Sequence, residues 1–137
     1  MFLRWKRSPR KDKHHWELPV SGGRFIKIVD PEWLRSAVLV ECIRIDGKPR
    51  QRTIKYLGSI RERRLDLDDP YSISHRGYFW TSADANLDSL SLADNERARI
   101  VEAIEAVVPR PSTEAVTQAH HDREERIANV SRLMTAQ

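Results

Sequence analysis

The sequence predicts a small α+β protein, an antiparallel sheet of three to four strands followed by two helices. Three observations carry that reading. Alternating and β-branched segments fill the first 65 residues, around an Asp46-Gly47 turn signal. Apolar residues at helical spacing occupy residues 91–137. The charge divides in nearly the same place: residues 1–64 hold 17 Lys and Arg against 7 Asp and Glu, whereas residues 65–137 hold 7 against 13. A chain of 137 residues suits one compact unit. The expected organisation is a basic β-rich domain over 1–65, a connecting segment over 66–90, and a two-helix region over 91–137 that packs on the sheet or extends from it.

Phe2 to Arg7 alternates large and basic side chains and predicts a first strand ended by Ser8-Pro9. Residues 10–16 are polar and basic and predict a loop. Arg24 to Val29 is β-branched, follows Gly22-Gly23 and predicts a strand. Asp30-Pro31-Glu32 reads as a short helix start, with Asp30 as N-cap and Pro31 in the first turn. A hairpin follows, with strands over roughly Ala37–Ile45 and Arg50–Leu57. Gly47 supplies a positive φ for its turn. A two-residue turn places Pro49 in the ladder without an N–H to donate, so the longer loop pairing Ile45 with Arg50 is preferred. Apolar residues gather at the open end of this ribbon and basic ones at the turn.

Residues 66–90 are rich in Asp and Ser and contain Gly77, so they predict a long irregular connection, and Tyr78-Phe79-Trp80 is the cluster expected to anchor them to the core. Ser91, with Asp94 three residues on, predicts the cap of a helix carrying Leu92, Ile100, Val101, Ile104, Val107 and Val108, stopped by Pro109. Ser112 or Thr113 caps a second helix. Its seam of Val116, His120, Arg123, Ile127, Val130 and Met134 runs near heptad spacing and offers a homodimer contact.

A basic half joined to an acidic half points to a polyanion partner. Trp5 and Trp16 lie among the basic residues, where they can stack on unpaired bases, although their area favours the core. Catalytic and metal chemistry find little support. His14-His15 and His120-His121 are adjacent pairs, which point apart on a strand and diverge on a helix. Cys42 stands alone and mid-strand, where burial makes a thiol inert, and it fits a reducing cytoplasm. Asp66, Asp68 and Asp69 lack the Gly and Glu of a calcium loop. No nucleophile elbow or phosphate-binding glycine loop appears. No apolar run matches the roughly 20 residues of a membrane span, and charges at the N-terminus precede no apolar run of a secretory signal. No enzyme activity, cofactor or membrane contact is therefore expected, and the expected location is cytoplasmic.

The segment from Arg44 to Glu62, RIDGKPRQRTIKYLGSIRE, resembles the N-terminal region of insertion-sequence transposases of the DDE type. There a basic first strand precedes a strand, an Asp-Gly-Lys turn and a strand of the form RQR-T-hydrophobic-x-x-LG. Phe2 to Arg7 looks like the first of these, Val38 to Arg44 the second, and Arg50 to Gly58 the third. The helix from Leu92 to Val108 is similar in position. The resemblance implies binding of element-end DNA. It leaves residues 11–36 as an insertion. The three acidic metal ligands of the ribonuclease-H-like catalytic domain have no counterpart in these residues, so strand transfer is not carried over.

These readings converge on a non-catalytic DNA-binding protein, related to mobile elements or phage, with RNA as a second possible ligand. The contact residues expected are Arg4, Lys6, Arg7, Arg50, Arg52, Lys55, Arg61, Arg63 and Arg64. The rival class is a protein–protein module, an inhibitor or accessory factor working through its acidic helices.

Overall fold

The computed structural model describes residues 1–9, 14–20, 22–30 and 32–135, and of 14–20 and 24–30 the backbone alone. The α+β class holds. β1 (Phe2–Pro9), β4 (Trp33–Ile45) and β5 (Lys48–Arg61) form an antiparallel sheet in the order β1-β4-β5. β2 (His14–Val20) and β3 (Arg24–Asp30) form a separate two-stranded sheet. A 3₁₀ turn at Glu62–Arg64 leads into α1 (Pro70–Asp88), α2 (Asp94–Glu105) and α3 (Thr113–Thr135). Among the described residues no helix is long and apolar enough to cross a membrane.

Several expectations need correction. His14 to Trp16 belong to β2 rather than to a loop, and residues 10–13, with Arg10, Lys11 and Lys13, lie outside the described residues. No helix starts at Asp30. It closes β3 as extended chain, as a residue before proline prefers, while Pro31 lies outside the described residues and Trp33 opens β4.

The hairpin takes the shorter turn. Asp46 and Gly47 both have positive φ, 51° and 75°, and Ile45 pairs with Lys48. Two such residues give the twist that matches paired strands, and this outweighs the cost of Pro49 opposite Arg44. Pro49 is tolerated because β5 is an edge strand whose exposed turn end asks little of its N–H.

The largest correction concerns residues 66–90. Most of them form α1, the central helix. Asp69 is its N-cap, accepting from the Ser72 backbone N–H at 3.4 Å, and Pro70 sits in the first turn. Ser72, Arg76, Phe79, Ala83 and Leu87 are buried along one face at helical spacing. The first part of that stripe is polar, which hides the helix from hydrophobic periodicity. Arg76, 6 % exposed, supplies the missing logic. Its guanidinium donates to the carbonyls of Arg64 at 2.8 Å and Leu67 at 2.6 Å, and to Asp68 Oδ1 at 2.9 Å. It thereby satisfies the chain that leaves the sheet and clamps it to α1.

Three helices therefore follow the sheet, not two. α2 begins at Asp94 behind Ala93, which gives no side-chain cap, so Ser91 and Leu92 precede it. Asp94 and Glu96 in the first turn complement the helix dipole instead. Ser112 caps α3 as expected, accepting from the Ala115 N–H at 3.1 Å.

One core holds the layers together. Ala37, Leu39, Leu57 and Ile60 of the sheet meet Phe79, Trp80, Ala83 and Leu87 of α1, with Ile100, Ile104 and Val108 from the α2 region. Tyr78, by contrast, is exposed and meets His120 edge-on. α3 lies outside α1 and crosses it at Gly77, where a Cβ would come within 3.0 Å of Val116. Replacing Arg76 with Leu strands two backbone carbonyls, and should lower unfolding stability by about 2–4 kcal/mol. A urea titration followed by circular dichroism checks this; an unchanged midpoint would remove Arg76 from its role as clamp.

Candidate nucleic-acid interface

The sheet has one face against the helices and one without them. Strand alternation and register place Leu3, Trp5, Ala37 and Leu39 toward α1 and α2. Trp5 stacks on Phe79 with ring centroids 6.0 Å apart, so it is a core residue. The opposite face carries, in rows across β1, β4 and β5, Phe2–Val40–Thr53, Arg4–Val38–Tyr56 and Lys6–Ser36–Ser59. The 2.7 Å contact between Ser36 and Ser59 confirms that these two share a face.

Beyond the end of β1 the sheet narrows to a two-stranded ribbon from Glu41–Arg52 to Ile45–Lys48. Nothing in the helical layer covers it, and Arg44 through Thr53 are all exposed. Arg44, Lys48 and Arg50 stand here with no ion pair or hydrogen bond among the described residues. Arg44 and Lys48 were absent from the expected contact set. The sequence did carry their signal: with the two-residue turn chosen, both flank the tip. Ile45, also exposed, adds an apolar contact there.

The nine expected contact residues do not form one patch. Five are occupied by carboxylates. Arg7 pairs with Glu62 at 2.8 Å and lies 4.0 Å over the Trp33 ring. Arg52 pairs with Glu41 across the ribbon. Arg61 and Arg63 lie 3.2 and 3.5 Å from the buried carboxylate of Glu32. Arg64 lies 3.5 Å from Asp69 and is largely buried. Arg4 donates to the neutral Gln51 Oε1 at 2.9 Å, so it keeps its full charge on the helix-free face. Lys6, Arg50 and Lys55 have no such partner among the described residues. Arg61, Arg63 and Arg64 thus serve the junction between sheet and α1, while Arg4, Lys6, Arg50 and Lys55 of the expected set keep no carboxylate partner among the described residues.

Cys42 is exposed on the ribbon, so burial does not explain its chemistry. Among the described residues no three His, Cys, Asp or Glu side chains gather in a metal-sized cluster. Beside the β5 edge a groove of about 370 Å³ is lined by Tyr56, Arg61, His75 and Tyr78 among others. Desolvation, together with the charges of Arg64 and Arg123, holds the His75 imidazole below its ordinary value of 6.5 and favours its neutral form. Comparison of the chain with family models, with curated proteins and with solved structures gives no match.

Two carboxylates at the junction titrate low. Arg7, by its hydrogen bond, and then Arg35 lower Glu62 from its ordinary 4.5. The Ser72 hydroxyl and backbone, then Arg64, lower Asp69 from 3.8. Their folded values lie below the unfolded ones, so the stabilisation is complete above about pH 4.5 and is lost as pH falls through the depressed values. Glu62→Gln with Asp69→Asn should flatten the acid limb. Urea midpoints at pH 7 and pH 3 measure it, and an acid limb identical to that of the parent protein would assign acid sensitivity elsewhere.

Proposed function

We propose that this protein binds DNA, without catalysis, by presenting the ribbon from Glu41 to Arg52 to the duplex. One observation carries the reading: a projecting two-stranded ribbon holds Arg44, Lys48 and Arg50 clear of any carboxylate partner among the described residues. Its five residue pairs extend roughly 14 Å at strand spacing. A two-stranded ribbon enters a major groove about 12 Å wide. Lysine and arginine neutralise phosphates there, and arginine can also meet a guanine edge with two hydrogen bonds.

The likeness of Arg44 to Glu62 to transposase N-terminal regions supports the same reading and suggests a mobile-element or phage setting, with element-end DNA as ligand. The buffered arginines narrow the contact set. Arg44, Lys48 and Arg50 should dominate, with Arg52 sharing its charge with Glu41, whereas Arg61, Arg63 and Arg64 contribute field from behind. Fluorescence anisotropy on a duplex should give an affinity falling steeply with salt. Replacing Arg44, Lys48 and Arg50 with Ala should lower the slope of log K on log salt by about 0.9 for each phosphate no longer neutralised. Circular dichroism should stay unchanged, because all three side chains are exposed. Absence of binding at low salt, or an affinity indifferent to salt, sinks the proposal.

A second reading rests on α3. The seam whose first half packs on α1 at Gly77 and Tyr71 continues in register past Arg123. There Ile127, Val130, Leu133 and Met134 are 56–75 % exposed. A second copy presenting the same seam would cover them. Sedimentation across concentration should then show a dimer that Ile127→Glu with Val130→Glu converts to monomer. A monomer throughout removes this reading and leaves DNA binding untouched.

A further inference from the structure

We propose that the helix-free face of the sheet is a binding platform for single-stranded nucleic acid, with Phe2 and Tyr56 stacking on bases. The inference rests on the nucleic-acid reading but assigns a different surface and a different form of ligand. Such platforms need three things: aromatic rings open to solvent, cations to track a backbone, and no competing anions.

The face provides each. Phe2 is 41 % exposed and Tyr56 49 %, unusual for aromatic residues flanking the central strand of a sheet. Register puts them on opposite sides of β4, Phe2 against Val40 and Tyr56 against Val38. Two strand spacings across and two residues along separate them by about 12 Å, far enough for each to meet a different base. Beneath them Val38 and Val40 are buried and give the rings a firm floor.

Tyr56 is also held in place. Its hydroxyl contacts the Ser59 hydroxyl, which lies 2.7 Å from that of Ser36. A ring anchored at its polar tip, with its body exposed, loses little entropy when a base stacks on it. An unsupported surface tyrosine lacks this chain.

The charge pattern points the same way. Arg4 and Lys6 in β1 and Arg44 in β4 alternate onto this face, and no Asp or Glu in β1, β4 or β5 does. Glu41 and Glu62, the acidic residues of β4 and the turn after β5, serve arginines on the helix side or the junction instead. A negatively charged ligand on this face therefore meets Arg4, Lys6 and Arg44 with no carboxylate from the three strands beside them. The groove at the β5 edge adjoins Tyr56 and adds a third exposed ring, Tyr78, giving the strand a course off the sheet. A duplex keeps its bases stacked and cannot use these rings, so the platform selects unpaired strands.

The test uses the full chain and fluorescence anisotropy with oligo-dT, oligo-U and a mixed-sequence duplex. Phe2→Ala and Tyr56→Ala should each weaken oligo-dT binding about 10-fold, within the range for removing one base–aromatic stack. Tyr56→Trp should restore most of it through its larger stacking face, less what the lost Ser59 contact contributes. Duplex affinity should hold in both alanine variants, with circular dichroism and thermal melts verifying the fold. Oligo-U, which offers the same kind of stacking faces, should depend on Phe2 and Tyr56 as oligo-dT does. Single-strand binding that ignores both aromatic substitutions overturns this inference while nucleic-acid binding stands. Aromatic-dependent single-strand binding without duplex binding supports it and removes the ribbon proposal. No binding of any probe at low salt removes both.

Discussion

The contact between Leu57–Gly58 and the middle of α1 governs the whole arrangement. Between Ala37 and Val38 the β4–β5 register slips, leaving Leu57 as an extra residue in β5. A bulge of this kind takes a carbonyl out of the ladder and turns the strand. Ser82 Oγ and Asn86 Nδ2 of α1 donate to the Leu57 carbonyl at 3.0 and 2.9 Å. The next residue is Gly58, where a Cβ would stand 3.3 Å from Phe79 Cδ2. Absence of that carbon lets Phe79 lie close to the sheet and meet Trp5 from β1. One irregularity in one strand thus fixes the seat of the central helix and, through Trp5, ties the far edge strand to it. With the helical core packed on this side, no helix covers the other face.

Charge follows from that seating. The arginines nearest α1 are consumed in building it: Arg64 at its first turn, Arg61 and Arg63 at Glu32, Arg7 and Arg35 at Glu62. Another arginine, Arg110, is bound bidentately by Asp84 at 2.7 and 3.1 Å while covering the Trp80 ring at 3.9 Å. Partly exposed pairs of this sort add little stability singly. Their effect here is to set orientation and to withdraw positive charge from the surface. On the sheet, the cations left without a carboxylate among the described residues are Arg4, Lys6, Arg44, Lys48, Arg50 and Lys55, away from the arginine run at Arg61, Arg63 and Arg64.

The sequence was legible where local chemistry decides structure. Asp46-Gly47 announced its hairpin, and alternation in Phe2 to Arg7 announced β1. It was misread where tertiary packing decides. The Asp-Pro signal at Asp30-Pro31 resembled a helix start, yet the working one is Asp69-Pro70, where a carboxylate cap and a proline in the first turn act together. α1 went unseen because Ser72, Ser74 and Arg76 occupy its buried side. Ser72 is partnered by Asp69, and Arg76 by Asp68 and the carbonyls of Arg64 and Leu67, none of which a linear pattern reveals. The ion pairs of Arg7, Arg52, Arg61, Arg63 and Arg64 were hidden for the same reason. Charge counts locate arginines along the chain, but only the fold tells which of them already face a carboxylate.

Under the proposed function, the acidic half would have a role without touching a ligand. Residues 65–137 carry an excess of six negative charges, and their helices stack on one side of the sheet. On the proposed nucleic-acid reading, that layer would repel an approaching polyanion, and the face and ribbon holding Arg4, Lys6, Arg44 and Arg50 would attract it. Such a dipolar field acts over roughly a Debye length, about 8 Å at physiological salt, so it orients the last approach rather than the distant encounter. The modest total charge of +4 is consistent with this division. A uniformly basic protein of the same size would bind phosphates on every surface; this one offers them a front and a back.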